Sequence, residues 1–428
     1  MKTRICIRTF GCALNHSDSE LMAGLLEKAD FEIINDPEQA DVIIINTCTV
    51  KGPTEANFFK YLEEIKQLNK QVIIAGCIPQ TDPEKLSGYP LIGTYSVNRI
   101  VEVVEETIND NIVEILDKEN HPRLNLPKIR RNPVIEIIPI CAGCLGEPCA
   151  YCKVKDARGN LISYDSHEIL RQAHHALKQG VKEIWLTAQD TGCYGKDINT
   201  SLPELLKDFT RIPGDFKIRL GMANPNHVKE FLDELIQIYK SDKIFKFLHI
   251  PVQSGSDKIL KAMKRKYTAE DFKNIISQFK KEIPEITIST DVICGFPGET
   301  DEDFQKTLNL VKEIKPDVLN ISRFWPRPKT KAEKMENQVH GSITKDRSRL
   351  ITQIFNNIAR MQNERWYNWQ GNVLVDEFGK DNSFIARNYA YKPVIIKGNY
   401  QLGQEINVRI RAITSHDLRG ETKPLNSI

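Results

Sequence analysis

The chain has 428 residues, with 59 Lys/Arg against 57 Asp/Glu for a formal net charge of +2, 40% apolar and 27% charged residues, and ten cysteines. At roughly 100–200 residues per domain the length predicts two to four domains with a substantial core, and the composition excludes a wholly disordered or collagen-like chain. A near-neutral net charge excludes a polybasic tail protein and confines any nucleic-acid contact to a local patch.

No apolar stretch approaches the roughly 18 residues of a membrane span, and the first residues, Met-Lys-Thr-Arg-Ile-Cys-Ile-Arg, contain no long apolar run. A soluble, cytoplasmic protein with no membrane partner is expected. Cysteines this sparse do not make a disulfide scaffold, and in a reducing compartment those that cluster take metal or redox roles.

In chain order, β-branched runs at 5–10, 41–46 and 71–75 alternate with helical patterns over 19–29, 55–68 and 97–109. Such alternation, with nearly continuous apolar strands, predicts a parallel α/β sheet covered on both faces, residues 1–120. Residues 121–133 hold three prolines and four Lys/Arg with no apolar period, and read as an ordered linker. Beyond it, six strand patterns (134–140, 183–187, 217–221, 246–252, 287–293 and 317–324) alternate with helices. They predict an open, partial (β/α)6 barrel over 134–364, with loops at the strand carboxyl ends available for chemistry. After a helix over 344–366, short strands at 372–375, 383–387, 393–396 and 405–413 predict a small β-barrel over 365–428.

Cys12, Cys48 and Cys77 each follow an apolar strand by one to a few residues. If those strands are parallel, all three thiols emerge on the carboxyl edge, where open α/β sheets place ligands. Any one alone reads as core filler; three at equivalent strand ends read as a site, and soft thiolates point to an iron-sulfur cluster or zinc. A denser set is Cys141-Ala-Gly-Cys144-Leu-Gly-Glu-Pro-Cys149-Ala-Tyr-Cys152. The spacer between its two Cys-x2-Cys pairs is far shorter than in usual zinc ribbons, so iron-sulfur is preferred, and a cluster held by three cysteines keeps one iron open.

At these motifs the chain resembles the radical S-adenosylmethionine (SAM) methylthiotransferases over nearly its whole length. Thr9-Phe-Gly-Cys12-Ala-Leu-Asn15, Asn46-Thr-Cys48 and Ala75-Gly-Cys77 match the family's N-terminal motifs, and Gly143-Cys144-Leu-Gly its cluster loop. The resemblance implies a cluster domain, a radical SAM partial barrel and a TRAM-like barrel. It further implies two 4Fe-4S clusters: an auxiliary one on Cys12, Cys48 and Cys77, and a SAM-cleaving one on Cys144, Cys149 and Cys152, with Cys141 a spectator. One departure is that the family's Cys-x3-Cys becomes Cys144-x4-Cys149 here. Cys193 and Cys294 read as packing residues.

Also implied by resemblance is a shell around SAM and substrate: Tyr151 in the cluster loop, Gln189, Asn224 and Gln253 after successive strands, and Gly295 and Gly298 in Gly295-Phe-Pro-Gly298-Glu299. His249 alone reads as a satisfied core histidine. No residue is singled out as catalytic.

From Arg365 onward there are nine Lys/Arg against six Asp/Glu, with aromatics interleaved, including Trp366, Trp369, Phe384, Tyr389 and Tyr391. Basic groups hold phosphates and aromatics stack on unpaired bases, whereas the bland reading is a solvated surface over an aromatic core. The TRAM resemblance favours RNA, with Arg387, Lys392, Arg409 and Arg411 as the expected contacts.

Val50-Lys-Gly-Pro-Thr-Glu55 and Lys153-Val-Lys-Asp-Ala-Arg158 resemble the archaeal and eukaryotic branch that modifies N6-threonylcarbamoyladenosine at tRNA position 37. Branches acting on isopentenyladenosine or a ribosomal protein are the alternatives, and an RNA-binding protein with structural metals is the non-enzymatic one. The implied partners are a tRNA anticodon loop, an electron donor and a sulfur source. SAM is implied both as methyl donor and as the source of the 5′-deoxyadenosyl radical that the unactivated C2 of adenine requires.

Overall fold

The computed structural model describes residues 2–49, 52–119 and 121–422; Val50, Lys51 and Lys423, named above in motifs and charge counts, lie outside them. The N-terminal sheet has six parallel strands, β1 (Arg4–Thr9), β2 (Glu32–Ile34), β3 (Val42–Thr47), β4 (Gln71–Gly76), β5 (Leu91–Gly93) and β6 (Glu114–Ile115), in the order β2-β1-β3-β4-β5-β6. β3 is buried along its whole length. Val42 and Ile44 pack on one face with the helices Ala13–Lys28 and Ile100–Ile108; Ile43 and Ile45 pack on the other with the helix Gly52–Lys66. This is the two-sided burial that a continuous apolar run requires. β2, β5 and β6 are too short to show a sequence period.

The first helix starts at Ala13, not near residue 19 as expected, with Cys12 as its N-cap. Its first turns are polar in sequence yet buried: Asn15, Ser17, Asp18, Ser19 and Glu20 all face inward. Cations from beyond the sheet explain this. Asp18 pairs with Arg123 and Arg158, and Glu20 with Lys128 at 3.1 Å.

Six parallel strands then form an open barrel: β7 (Ile135–Pro139), followed by the short antiparallel pair β8 (Cys141–Ala142) and β9 (Ile162–Ser163), then β10 (Glu183–Thr187), β11 (Lys217–Leu220), β12 (Phe247–His249), β13 (Thr287–Cys294) and β14 (Val318–Arg323). The runs β7-β10-β11 and β12-β13-β14 meet through a parallel bridge between Ile218 and Ile244. One apolar core joins them, with Ile138, Leu186, Ile218, Leu248, Ile288 and Val292 inside.

After the helix Gly341–Glu364 the chain closes a five-stranded barrel, β15 (Gln370–Phe378), β16 (Ser383–Arg387), β17 (Pro393–Lys397), β18 (Glu405–Ile413) and β19 (Leu418–Thr422), in the order β15-β16-β17-β19-β18. β19 was not expected from sequence. Leu418 is its one large apolar residue, so it carries no alternation, but it seals the barrel between β17 and β18.

Two expected RNA contacts are corrected here. Lys392 is buried, with Nζ 2.8 Å from Asp317 and 2.9 Å from Asn363 Oδ1, and Arg387 binds Asp376 at 2.9 Å and Glu377 at 2.8 Å. Lys392 is spent locking the small barrel onto the large one through Asp317, and Arg387 is spent inside the small barrel, because the carboxylates of Asp317 and Asp376 are fully buried and each needs a cation. Tyr391 and Trp366 are likewise buried, Tyr391 stacking on Phe245 and Phe247.

This interface also holds Glu183, buried beside Asp376, Arg387, Tyr391 and Trp185. Burial, reinforced by Asp376, pushes Glu183 up from 4.5 to about 7. A carboxyl whose folded pKa is raised binds protons in the folded state that the unfolded chain releases, so its contribution to stability is lost as pH rises from the unfolded to the folded pKa. Glu183→Gln, which mimics the protonated form, is expected to raise the calorimetric unfolding midpoint by several degrees at about pH 8 and to change it little near about pH 5.

Candidate metal centres

β1, β3 and β4 are adjacent and parallel, so Cys12, Cys48 and Cys77 lie at neighbouring carboxyl ends. Gly11 makes this possible: with φ +121° it turns the chain from strand to helix, and a Cβ there would stand 2.6 Å from Cys48 Cβ. Asn15 sits at the centre. Its Nδ2 donates to the Phe10 and Thr47 carbonyls at 2.9 and 2.7 Å, fixing an Oδ1 that lies 3.7 Å from Cys12 Sγ and 3.9 Å from Cys77 Sγ. Burial raises the Cys77 thiol pKa, and the Arg158 guanidinium opposes that rise. Among the described residues no three His, Cys, Asp or Glu side chains are gathered closely enough to hold a single metal ion. A cluster places each thiolate on a different iron, so its ligands stand further apart than ligands sharing one ion.

The second triad grows from the barrel. Gly143 (φ +77°) brings the chain so close to Asn160 that a Cβ would lie 2.0 Å from its carbonyl oxygen. Cys144 then bonds across, its N–H to Gly159 O at 3.1 Å and its carbonyl to Leu161 N–H at 3.2 Å. The extra residue before Cys149 is absorbed in an exposed bulge, Leu145 to Glu147, held by Lys264 on Glu147 Oε2 at 2.5 Å. The far end is fixed by Ala150, whose N–H bonds Met263 O and whose carbonyl accepts from Ala332 N–H. Burial, with the neighbouring Cys149, pushes Cys152 up to about 12; Cys144 is raised by burial and then by Cys152, so the three thiols feel one another. Cys141 is buried in β8, its Sγ 3.7 Å from Asp190 O, which Cys193 Sγ also approaches, at 3.0 Å; Cys294 is buried too.

The residues expected around SAM and substrate are each held by defined contacts. Gln189 Oε1 accepts the Gly143 N–H at 2.8 Å, and Tyr151 is edge-on to Phe296. Asn224 is gripped by Asp190, its N–H and Nδ2 donating at 3.0 and 2.5 Å. Gln253 has a left-handed backbone (φ +69°), held by bonds to Asp291 O and from Ile293 N–H. Gly295 donates to Glu299 at 2.7 Å, and Gly298 to Asn337 O at 2.9 Å. His249 is satisfied, as expected, but not in the core: its Nε2 lies 2.6 Å from Asp291 Oδ2, and both side chains are partly exposed.

Sequence reasoning missed Arg265, whose Nη1 is 3.3 Å from Cys149 Sγ and whose Nη2 bonds Asn224 Oδ1. The only signal was a Lys-Arg-Lys run bracketed by Met263 and Tyr267, two apolar positions that turn out to be buried.

The residues tying the two triads together were also missed. Lys153, directly after Cys152, is buried and reaches both Asp82 oxygens at 2.6 and 2.5 Å, five residues beyond Cys77. Arg158 reaches Asn15 Oδ1 at 3.0 Å and Asp18 Oδ2 at 2.7 Å, and Arg327 pairs with Glu55.

On the small barrel Arg409 and Arg411 are exposed on β18. The exposed aromatic there is Phe378, 70% accessible, stacked at 5.5 Å on Phe384, itself 5.7 Å from Tyr400.

Residues 135–311 match the Radical SAM superfamily, 4–92 the Uncharacterized protein family UPF0004, and 371–423 the TRAM domain. Among solved structures, the radical S-adenosylmethionine methyltransferase TsrM from Kitasatospora setae is similar over 78% of this chain and 77% of that one, with TM-score 0.57 and 14% identity, a likeness of fold. The parallel partial barrel with its cysteine loop is thus that of a radical SAM enzyme. The probable threonylcarbamoyladenosine tRNA methylthiotransferase of Pyrococcus abyssi is 42% identical over 98% of this chain and 99% of its own. The human threonylcarbamoyladenosine tRNA methylthiotransferase is 43% identical over 98% of this chain and 74% of its own. The chain belongs to this family of tRNA methylthiotransferases. Among the described residues no helix is long and apolar enough to cross a membrane.

Proposed function

We propose that the chain methylthiolates C2 of N6-threonylcarbamoyladenosine at position 37 of tRNA. The observation that carries this reading is the pair of cysteine triads, each at the carboxyl edge of its own parallel sheet and bound to the other through the buried Lys153–Asp82 and Arg158–Asp18 contacts. Cys12, Cys48 and Cys77 would hold an auxiliary 4Fe-4S cluster, and Cys144, Cys149 and Cys152 the cluster that binds SAM. When bound, these groups supply an open iron for sulfur and the one-electron chemistry that a C–H bond at C2 demands.

The chain's own residues do the positioning. Gln189 and Arg265 brace the second cysteine loop, and Tyr151, Asn224, Gln253, Gly295 and Gly298 surround it as the SAM shell. His249 Nε2 is hydrogen-bonded to Asp291 Oδ2, which fixes the imidazole at the end of its strand. Residues 1–120, 134–364 and 365–428 act as three units joined by 121–133. Cys141, packed against Asp190, stays a spectator. An electron donor and a sulfur source are required partners, in the cytoplasm.

With Arg387 and Lys392 consumed internally, the exposed Arg409 and Arg411, the latter held only by a surface pair with Glu421, are the phosphate contacts for the anticodon stem. Truncating the barrel is a poor test, because it strips Lys392 from Asp317 and Arg387 from the neighbourhood of Glu183. The Arg409→Gln/Arg411→Gln protein is expected to bind a threonylcarbamoyladenosine-bearing anticodon stem-loop about tenfold more weakly at low salt, with a log–log salt slope smaller by about 1–2. Its SAM cleavage without RNA should be unchanged. An unaltered affinity and slope would remove the small barrel from tRNA docking.

A further inference from the structure

Arg158 is fully enclosed, and its surroundings contain more positive charge than they need. Asp18 is the one carboxylate it meets, and Arg123 already pairs with the other oxygen of Asp18. Two guanidinium groups therefore share one buried carboxylate. Nη2 of Arg158 is occupied by Asn15 and Asp18, while Nη1 is buried with no hydrogen-bonded oxygen or nitrogen, and the guanidinium's remaining neighbour is the Cys77 thiol. An unpaired buried donor on a charged group is costly, and a bound anion is one partner that completes it.

That guanidinium is next to the first triad. Asn15 Oδ1, which Arg158 holds at 3.0 Å, is the same oxygen that lies 3.7 Å from Cys12 Sγ and 3.9 Å from Cys77 Sγ. The Arg158 charge acts directly on both thiols.

We propose that Arg158 is a positioning residue of the first centre, reaching from the second cysteine loop to hold an anionic sulfur group, a hydrosulfide or thiolate, at the iron that Cys12, Cys48 and Cys77 leave open. It rests on the reading of those cysteines as cluster ligands. The chemistry fits: three thiolates and an anionic ligand concentrate negative charge, and the surplus guanidinium supplies both compensating charge and a free N–H. Arg158 follows Cys152 by six residues, so the group that holds the sulfur is carried by the loop that binds SAM.

The test uses full-length protein reconstituted with iron and sulfide, saturated with S-adenosylhomocysteine, which lacks the sulfonium that is cleaved, reduced with dithionite to the paramagnetic +1 state, and titrated with sodium hydrosulfide while the electron paramagnetic resonance of the first centre is followed. Arg158→Gln is expected to bind hydrosulfide about tenfold more weakly or worse, and Arg158→Lys, which keeps the charge, to recover most of that loss. Asp18→Asn breaks the strut but keeps the guanidinium, and should bind at least as tightly as intact protein. If Arg158→Gln does not take up iron, the Lys and Asp18 variants decide on the same criteria. Equal affinity in the intact and Gln proteins, or a loss in Asp18→Asn matching that in Arg158→Gln, would show a structural strut only. An intact protein whose spectrum ignores hydrosulfide would overturn the cluster reading itself, and the proposal with it.

Discussion

Cys144→Ala abolishes reductive cleavage of SAM, while Cys141→Ala leaves it within about twofold of the intact protein; this is the largest effect expected of any single substitution here. The two residues are three apart and follow the same strand, yet the fold separates them. Cys141 is enclosed in β8 against Asp190, whereas Cys144 stands at the turn made by Gly143, in electrostatic contact with Cys149 and Cys152. Losing one of three ligands leaves two, too few to hold a cluster with an open iron. The measurement is 5′-deoxyadenosine yield under dithionite, with iron content beside it. Retained cleavage in Cys144→Ala and loss in Cys141→Ala would show that the longer spacer shifts the ligand set by one cysteine.

The second large effect separates the centres. The Cys12/Cys48/Cys77 triple alanine variant is expected to lose about half its iron, to cleave SAM still, and to form no methylthio product. Its folding is supported by the buried Lys153–Asp82 and Arg158–Asp18 ion pairs joining the two sheets, which the substitutions leave in place.

Much of the architecture could be read from period and spacing. The continuous apolar run at β3 announced a two-sided sheet, and three cysteines past three such runs announced an edge site. What escaped were features whose meaning depends on residues far away in sequence. The polar stretch Asn15 to Glu20 carries no apolar period, so the helix was expected only from residue 19, and nothing local shows that Arg123, Lys128 and Arg158 neutralise it. The same blindness misassigned Arg387 and Lys392: a cation on a strand reads as surface until its buried carboxylate, on another element, is located. Arg265 touches Cys149 across more than a hundred residues, a contact no spacing rule encodes. That His249 is satisfied was legible, but not that its partner is Asp291 on the neighbouring strand.

The cation linker 121–133 teaches a related point. Its basic residues are engaged inside the protein: Arg123 is buried on Asp18, Lys128 lies between Glu20 and Glu136, and Arg130 pairs with Glu136. Counting charges along a sequence locates cations without saying whether they are free.

The central claim is tested most directly by the nucleosides of tRNA from a strain lacking its own methylthiotransferase and expressing either this chain or its Cys12/Cys48/Cys77 alanine variant, resolved by mass spectrometry. The intact chain should convert threonylcarbamoyladenosine to its 2-methylthio derivative and leave isopentenyladenosine untouched, and the variant should convert neither. Unmodified threonylcarbamoyladenosine in the strain with folded, iron-loaded intact chain, or full conversion by the variant, would contradict the account.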